Sequence, residues 1–444
     1  MSDVDLAGLQ RIAGIACEAA MRAGADFADA AAEQGQARSI SVERNAIKSS
    51  DARRWGGVSV RAFSRGATGW SSTSGLSEEG ARGAGQQAAE LAQAAEPDPD
   101  FVDLVSPAPY PEVAGLYDES IAQITGAMLA DWVTQNIDSA RAVAEDGVVS
   151  GGASASHRRW ALVNNLGVQV THRGSSASTS ASVVIRRNGD VGSFYEWDAA
   201  RRLADLAPKN LGAKAAEEAL RQLKSRSMES GTFPVVFGPL ASGAFAGGLC
   251  AAASAEEVQR NRSFLIGKEG ERVASEHVTL VDDPLIPGGL GSGVCDGDGF
   301  PHRRLTVVEA GVLKTYLHSH YTAKKAGVEN TGHSTRGGIA PTNIVPALGP
   351  RTAAEIIAEV KDGLYVVLGR PSPDTASGQV SALVDAGFRI EKGRLTWPLK
   401  NTMVAGQGLE LLANIDAVSS DYRAEPGMIL PTIRVQGVRV AGGG

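Results

Sequence analysis

The sequence predicts an α+β protein in two parts: an N-terminal α+β region with antiparallel strands and helices, and a β-rich C-terminal domain. Two observations predict this fold class. In the first half, segments with apolar residues every three or four positions are interspersed with segments of alternating polarity. Beyond Val235, helical periodicity becomes rare and short alternating segments dominate. A chain of 444 residues, 43 % of them hydrophobic, is long enough for two or three domains with ordinary cores.

The N-terminal part contains two predicted helices and two predicted strands. Residues 5–23 place leucine, isoleucine and alanine at helical spacing, and Gly24 ends the segment. The segments 38–50 and 56–74 alternate apolar and polar residues, which predicts antiparallel strands joined by a polar turn. A second helix is predicted over 77–95.

A ladder of strands between two helices is predicted for the centre of the chain. Residues 158–197 alternate in polarity, and an Asn-Asn pair at 164–165 and an Asn-Gly pair at 188–189 mark expected turns. Helical spacing is present over 118–144 and 198–226.

Two breaks in these patterns divide the chain into three predicted domains. The proline-rich segment 96–112 predicts a linker, and residues 225–234 predict a second boundary. The predicted domains are an N-terminal α+β domain, a central α+β domain packed with it and a β-rich C-terminal domain, over residues 1–95, 113–226 and 232–444.

Composition argues against several classes of function. The formal net charge is −7 and the basic residues are scattered, so no nucleic-acid-binding surface is predicted. No apolar stretch is long enough to span a membrane, and the start MSDVDLAGLQRIAG lacks the features of a secretion signal. Three cysteines without a CxxC pair, Cys17, Cys250 and Cys295, indicate a cytoplasmic protein with buried, unpaired thiols.

Two histidines in GVLKTYLHSHYTAKKAG raise the question of a metal site. If His318 and His320 lie on a strand, they point to the same face and can bind one ion together. Further ligands would have to come from His302, His333, Cys295 or nearby carboxylates, and no motif spacing connects them. We favour the other interpretation, that both histidines are polar residues on the solvent face of a strand that ends in a helix.

The glycine-rich stretch 286–301 matches no nucleophile or phosphate-binding motif. It lacks GxSxG, a P-loop and GxGxxG, so Ser292 is interpreted as a loop residue. We expect a mobile surface loop whose acidic neighbours, Asp283, Asp296 and Asp298, are solvated.

A helix of small residues is predicted over 241–258. Three small residues stand four apart on it: Gly243, Gly247 and Ala251. The bare face that they form is expected to let another element approach closely. Glu256 and Glu257 point about 100° apart on a helix, so they are interpreted as an exposed helix end and not as an acid–base pair.

Several segments together resemble one family, TldD/TldE, also called PmbA or modulator of DNA gyrase peptidases. They include LVNNLGVQVTHRGSSAS, FPVVFGPLASGAFAGGL, DDPLIPGGLGSGVCDGDGFPHRRLTVVEAGVLKTYLHSHYTAKKAGVENTGH and GFRIEKGRLTWPLKNTMVAGQGLELLANI. The resemblance covers nearly the whole chain in order. It implies a C-terminal domain of the PmbA/TldD type and dimers that enclose a cavity.

The resemblance also implies two types of subunit. TldD-like members resemble zinc peptidases, in which an HExxxH motif supplies two zinc ligands and a glutamate that activates water. TldE-like members lack the motif and pair with the first type. Here the corresponding segment reads GGLCAAASAEEV, with Cys250 in place of the first histidine, Ala251 in place of the glutamate and Ala255 in place of the second histidine. The chain therefore resembles the TldE/PmbA type, with no catalytic, cofactor or metal residue of its own.

The predicted function is that of a non-catalytic subunit in a heterodimeric TldD/TldE-type zinc metallopeptidase that processes unfolded peptides. This chain would complete the cavity and bind extended substrate, and the TldD-like HExxxH partner would hold the zinc. An alternative is a free-standing homodimer that binds a peptide or small molecule without catalysis. A third hypothesis is a metallo-hydrolase that uses His318 and His320 with Cys295 or His302. If this chain does bind a metal, the candidate ligands are His318, His320 and Cys250.

Overall fold

In the part of the chain that the computed structural model describes, residues 3–425 and 427–443, the strands form two sheets, of six and eleven strands. The six-stranded sheet belongs to the N-terminal half and is antiparallel throughout. The eleven-stranded sheet belongs to the C-terminal half, where strands outweigh helices. The predicted α+β class with a β-rich C-terminal domain is confirmed.

The N-terminal half supplies eleven α-helices and strands within the described residues, together with a short 3-10 helix, Leu203–Asp205. They are α1 (Leu6–Arg22), β1 (Phe27–Glu43), β2 (Ala46–Ser64), β3 (Ala67–Ser74), α2 (Glu78–Ala94), α3 (Glu119–Ala122), α4 (Gly126–Val143), β4 (Val148–Asn164), β5 (Gln169–Arg187), β6 (Asp190–Ala200) and α5 (Leu211–Arg221). The sheet order is β3-β2-β1-β4-β5-β6, so strands from both sides of the segment 96–112 lie in one sheet.

The helices cover one face of this sheet. Alternate residues of β1, such as Ala30, Ala32 and Ile40, are buried beneath α1, α2 and α4. The intervening residues, such as Asp29 and Gly35, therefore point to the opposite face, which we call the open face. The register aligns Arg61 with Asp29, and both Trp55 and Arg158 with Gly35, so these side chains share the open face.

Helix predictions hold best where one apolar face packs on the sheet. The predictions over 5–23 and 77–95 are confirmed by α1 and α2. The prediction over 118–144 is interrupted, because α3 ends at Ala122 and α4 begins at Gly126. The prediction over 198–226 is largely wrong: β6 continues to Ala200, and α5 begins only after Asn210, whose φ of 66° is left-handed.

The strand predictions have the right type and the wrong boundaries. The polar segment 51–55, expected as a turn, lies inside β2. The turn itself is formed by Arg44 and Asn45, whose φ angles of 52° and 65° suit a two-residue hairpin. Exposed strand residues and turn residues are both polar, so composition alone does not separate them. The turn at Asn188 and Gly189 is confirmed, with φ angles of 54° and 81°.

The C-terminal half contributes sixteen elements within the described residues. They are β7 (Gly231–Phe237), α6 (Pro239–Ala252), α7 (Ala255–Gln259), β8 (Leu280–Asp282), β9 (Leu305–Glu309), β10 (Val312–Leu313), α8 (His320–Ala326), β11 (Ile344–Pro346), α9 (Ala353–Ala358), β12 (Asp362–Gly369), β13 (Gln379–Glu391), β14 (Arg394–Pro398), β15 (Thr402–Gln407), α10 (Gly408–Ala413), β16 (Ile415–Glu425) and β17 (Met428–Gly442). Strands β7, β12, β13, β15 and β17 pair in a closed ring, because β17 returns to β7. Phe245 and Leu249 of α6 lie in the core of this half.

The predicted linker 96–112 joins the two halves as a packed segment without helix or strand. Leu104 and Val105 are buried in it. Val105 packs with Leu162 of β4 against Phe300 of the glycine-rich stretch. The open face of the N-terminal sheet thus meets the C-terminal half here. None of the helices in the described residues has the length and apolar character needed to cross a bilayer.

Candidate functional site

The segment 250–255, where the resemblance predicts HExxxH in a hydrolytic relative, contains no carboxylate or imidazole. Cys250 is 1 % exposed, and burial raises the pKa of its thiol to about 12, so the thiol is neutral near pH 7. Ala251 is exposed on the last turn of α6, and Ala255 is buried at the first turn of α7. One protonated thiol and two methyl groups do not fit a zinc ion that activates water.

The small-residue helix differs from its prediction. It ends at Ala252 instead of continuing to 258, and the bare face is not the packed one: Gly247 faces open space and Ala251 is exposed. Close approach occurs at Gly248, where a Cβ would lie 2.7 Å from Pro373 Cδ, and at Gly243, where it would lie 2.9 Å from Leu430 Cδ2. The four-residue spacing therefore identified only one of the two close contacts.

The two histidines of GVLKTYLHSHYTAKKAG do not lie on a strand. His318 precedes α8 and is 4 % exposed, with Nδ1 3.3 Å from Thr322 Oγ1. Burial lowers the pKa of His318 to about 4, so its ring is neutral at pH 7. His320 begins α8 and places Nε2 2.7 Å from Asp103 Oδ1. The strand geometry assumed for a shared ion is absent, and the solvent-face interpretation is wrong for His318.

The other candidate ligands are distributed over a different cavity, of about 300 Å³, which Cys295, His302 and His333 line. Burial lowers the pKa of His302 to about 4 and raises that of Cys295. His333 is committed to Asp282, with Nε2 3.1 Å from Oδ2. Across the described residues, no three or more histidine, cysteine, aspartate or glutamate side chains are placed to hold a metal ion.

The glycine-rich stretch 286–301 is packed and not a mobile surface loop. Asp296 is 5 % exposed and accepts hydrogen bonds from the backbone N–H groups of Asp298 and Phe300, both at 2.9 Å. A Cβ on Gly291 would lie 2.2 Å from the Thr342 carbonyl oxygen. This glycine permits close packing of backbone on backbone. The expectation of solvated acids is wrong for Asp296, which is buried, and for Asp298, whose side chain is only 12 % exposed.

Four charged side chains join the open face of the N-terminal sheet to the C-terminal half, and we call them the arginine–aspartate cluster: Asp29, Arg61, Asp298 and Arg336. Arg61 donates to Asp29, with Nε 3.0 Å from Oδ2, and to Asp298, with Nη2 2.6 Å from Oδ1. Arg336 places Nη2 2.7 Å from Asp29 Oδ1. All four side chains are at most 12 % exposed. Buried ions of this kind require their partners, because desolvation of an unpaired charge is costly.

A third acid, Asp296, lies beside the arginine–aspartate cluster and affects its charge. Burial, together with the neighbouring Asp298, raises the pKa of Asp296 to about 8. Burial opposes ionisation of Asp298 as well, but Arg61 holds its pKa below the usual value. Near pH 7, Asp296 is therefore protonated and Asp298 is ionised. Two guanidinium groups are then matched by two carboxylates.

Arg336 is the strained member of the arginine–aspartate cluster. Its φ of 66° is left-handed, which is uncommon outside glycine. Its guanidinium carbon lies 5.5 Å from the ring centre of Trp70 on β3. Within the described residues, Nε and Nη1 of this side chain have no hydrogen-bond acceptor, and Nη2 has only its ion pair with Asp29. Those donors are available to a ligand or water, since a buried guanidinium rarely leaves N–H groups unused.

Arg61, Asp298 and Arg336 border a cavity of about 450 Å³, which we call the interdomain cavity. It lies between β2 and β3, the segment 96–112 and the C-terminal half. Residues from each part line it: Arg61, Trp70, Asp103, Glu256, His320 and Arg336. Glu256 pairs with Arg260 at 2.8 Å and, contrary to expectation, faces this cavity instead of marking an exposed helix end.

The sequence did not identify the arginine–aspartate cluster. Asp29 stands in the run FADAAAE and Arg61 in the alternating run VSVRAFS, where a single charge is typical of a solvent-facing strand position. Asp298 and Arg336 lie in irregular segments far along the chain. The one signal was an isolated acid among small apolar residues around Asp29, and it does not reveal a partner.

Comparison with known proteins shows one family along the chain. Three family models match: PmbA/TldA metallopeptidase domain 1 over residues 28–92, the central domain over 128–223 and the C-terminal domain over 230–442. The Metalloprotease PmbA homolog of Haemophilus influenzae is 26 % identical over 454 residues, which cover 98 % of this chain and 96 % of that protein. A Metalloprotease of Methanothermobacter thermautotrophicus is 36 % identical over 223 residues, 48 % of this chain and 49 % of that protein.

The chain spans about half the length of this second relative and of another from Methanocaldococcus jannaschii. Among solved structures, TldE from Thermococcus kodakarensis superposes with a TM-score of 0.87 at 26 % identity, over 98 % of this chain and 100 % of that one. Sequence matches over all three regions and the fold of the complete chain agree. The chain belongs to the PmbA/TldD metallopeptidase family.

Proposed function

We propose that this chain is the non-catalytic, TldE/PmbA-like subunit of a TldD/TldE-type peptidase pair. The observation that carries the proposal is the segment 250–255, where the resemblance predicts HExxxH in a hydrolytic relative and this chain has Cys250, Ala251 and Ala255. The likeness to a structure named TldE supports it. Relatives named Metalloprotease TldD homolog, one of them 31 % identical over 227 residues, support a partner from the same family. In this proposal the zinc ion and the cleavage step belong to that partner.

The interdomain cavity is the proposed holding site for unfolded peptide. Its floor includes Thr68 and Trp70 of β3, and β3 is an outer strand of the six-stranded sheet. An outer strand offers unpaired backbone groups to an extended peptide. Binding of this kind depends more on the extended backbone of the peptide than on its sequence. Trp70 is 46 % exposed and offers an apolar surface to substrate side chains.

The proposal is tested by mixing the purified chain with a family member that carries HExxxH and measuring initial rates on an unfolded peptide. We expect the mixture to cleave faster than the partner alone. Replacing the glutamate of the partner's HExxxH by glutamine is expected to abolish cleavage, because this chain supplies no base of its own. No gain over the partner alone, or cleavage by this chain alone, would contradict the proposal.

A variant separates substrate holding from assembly. Trp70→Ala is expected to raise the KM of the mixture for peptide while leaving the complex intact by size measurement. Tyr422→Ala removes a comparably exposed aromatic residue outside the cavity and is the matched control. If the chain instead remains a homodimer that binds peptide and never exchanges with the partner, the free-standing binding protein is the better description.

A further inference from the structure

A second group of arginines lies on the open face, beside the arginine–aspartate cluster but separate from it. Two cavities of about 300 Å³ and about 290 Å³ meet there. Both are bordered by Arg158 of β4, by Arg201 just beyond β6 and by Leu290 of the glycine-rich stretch. We call this region the arginine groove: Trp55, Ser156, Arg158, Gly174, Arg201 and Leu290.

Arg201 is fixed in the wall of the arginine groove. It donates to four backbone carbonyl groups, with Nε 2.8 Å from Gly289 O, Nη2 2.7 Å from Leu290 O and 3.1 Å from Ser292 O, and Nη1 3.3 Å from Leu116 O. The second N–H of Nη1 is left for a ligand. Carbonyl oxygens satisfy its hydrogen bonds without neutralising its charge. The positive charge of Arg201 therefore persists at the groove surface.

Arg158 has no partner of its own. In the described residues it forms no hydrogen bond or ion pair, and Arg201 forms no ion pair either. Positive charge on neighbouring groups is disfavoured here. Burial, together with the charge of Arg158, lowers the pKa of Arg201 to about 10. Burial, Arg158 and Arg201 lower that of His172 to about 4. Asp296 also lines the first of the two cavities, but in the described residues neither guanidinium group forms an ion pair with a carboxylate.

The two guanidinium groups converge above a glycine. A Cβ placed on Gly174 would lie 3.4 Å from Arg201 Nη1 and 3.9 Å from Arg158 Nε. The absence of a side chain there leaves room for a small group to touch both arginines. The side wall is apolar, because the ring of Trp55 lies against Gly35, where a Cβ would be only 2.2 Å from Cζ2.

We propose that the arginine groove binds a carboxylate of a peptide ligand. Arg158 would contact it as the exposed arginine without a partner and Arg201 as the fixed arginine, with Trp55 against the adjoining apolar side chain. Guanidinium groups are suited to planar carboxylates, which accept two hydrogen bonds side by side. A C-terminal carboxylate and an acidic side chain have the same chemistry. That the ligand is a peptide rests on the proposed function. That the site binds a carboxylate rests only on the two arginines and their geometry.

The test is isothermal titration calorimetry of the full chain, alone, with three probes. They are acetyl-Ala-Leu-Ala with a free C-terminal carboxylate, its C-terminal amide, and acetyl-Ala-Glu-Ala amide. We expect the free acid to bind about tenfold more tightly than its amide, the difference typical of a charge-assisted hydrogen bond. The Glu peptide distinguishes the sources: tight binding means that the groove accepts a side-chain carboxylate as well.

Arg158→Gln is expected to abolish the difference between acid and amide. Arg186→Gln, which makes the same charge change at an exposed position far along β5, is expected to preserve it. Equal binding of acid and amide by the unchanged protein would overturn the proposal, as would a difference that survives Arg158→Gln. Because the chain is titrated without a partner, these outcomes are independent of whether it stimulates an HExxxH subunit.

Discussion

Two sets of arginines share the open face of the N-terminal sheet, and they differ in what neutralises them. In the arginine–aspartate cluster, Arg61 and Arg336 meet carboxylates from β1 and from the glycine-rich stretch. In the arginine groove, Arg201 meets carbonyl oxygens and Arg158 meets no partner in the described structure. Burial alone does not separate the two sets, since Arg201 is itself half-buried. The presence of matching carboxylates is what distinguishes a structural contact from a site that awaits an anion.

The largest effect on stability is expected from removing a carboxylate of the arginine–aspartate cluster. Asp298→Asn removes one of two carboxylates and leaves two buried guanidinium groups with a single charged partner. We expect a loss of about 3 kcal/mol in the free energy of unfolding, measured by urea titration, because an unpaired buried charge is costly. Asp146→Asn, which breaks the exposed pair of Asp146 with Arg187, is the matched control. Equal effects of the two substitutions would contradict the structural role of the arginine–aspartate cluster.

The pH dependence of stability tests the protonated acid beside that cluster. The pKa of Asp296 is raised to about 8 in the folded state, above the value of 3.8 taken for an unperturbed aspartate. Between these values the folded state binds more protons than the unfolded state. The contribution of Asp296 to stability is therefore full below about pH 4, falls as pH rises and is lost above about pH 8.

Asp296→Asn isolates this contribution, because the remaining groups titrate in both proteins. We expect the unfolding free energy of the unchanged protein to fall relative to the variant as pH rises from 5 to 8, an interval that lies between the unperturbed and raised pKa values. Urea titrations at several pH values measure the difference. A constant difference across this range would show that Asp296 is already ionised at low pH.

A smaller effect on stability is expected from a substitution in the arginine groove. Arg158→Gln should change the unfolding free energy by less than about 0.5 kcal/mol, because the side chain is exposed and forms no contact that is lost. Urea titration of this variant beside Asp298→Asn gives the contrast directly. A large loss of stability would mean that Arg158 is held by the fold and is not free for a ligand.

The smallest change sharpens the geometry of the arginine groove. Gly174→Ala places a methyl group 3.4 Å from Arg201 Nη1, between the two guanidinium groups. We expect weaker binding of the free-acid peptide than in the unchanged protein, with a smaller loss than for Arg158→Gln, since both charges remain. The same calorimetric titration measures it. Unchanged affinity would place the carboxylate elsewhere in the groove.

Sequence patterns predicted the elements whose environment is simple. The helix over 5–23 packs one apolar stripe on a sheet, and its periodicity shows this directly. Residues 51–55 belong to a strand with an exposed polar segment, which has the composition of a turn. The glycines of 286–301 were interpreted as a source of mobility, although Gly291 serves close packing against Thr342. Tertiary contact decides such positions, and a single sequence does not record it.

The candidate site likewise has one part that the sequence predicts and other parts that it does not. The sequence alone predicts that Cys250, Ala251 and Ala255 stand where a hydrolytic relative has HExxxH, because this prediction concerns residue types at fixed spacing. The arginine–aspartate cluster and the arginine groove were not predictable. They arise where Asp29 and Arg158, on separate strands, are brought to one face and covered by a segment from the other half of the chain.

The ring of strands in the C-terminal half has a consequence for synthesis. Its closing contact joins Ile433 of β17 to Phe237 of β7, residues near opposite limits of that half. After β12 has been synthesised and before β17 has, β7 can pair with β12 on one side, while its other edge, which later pairs with β17, is unpaired. A nascent chain therefore passes through a stage open to mispairing, and we expect chaperones to matter most at that stage.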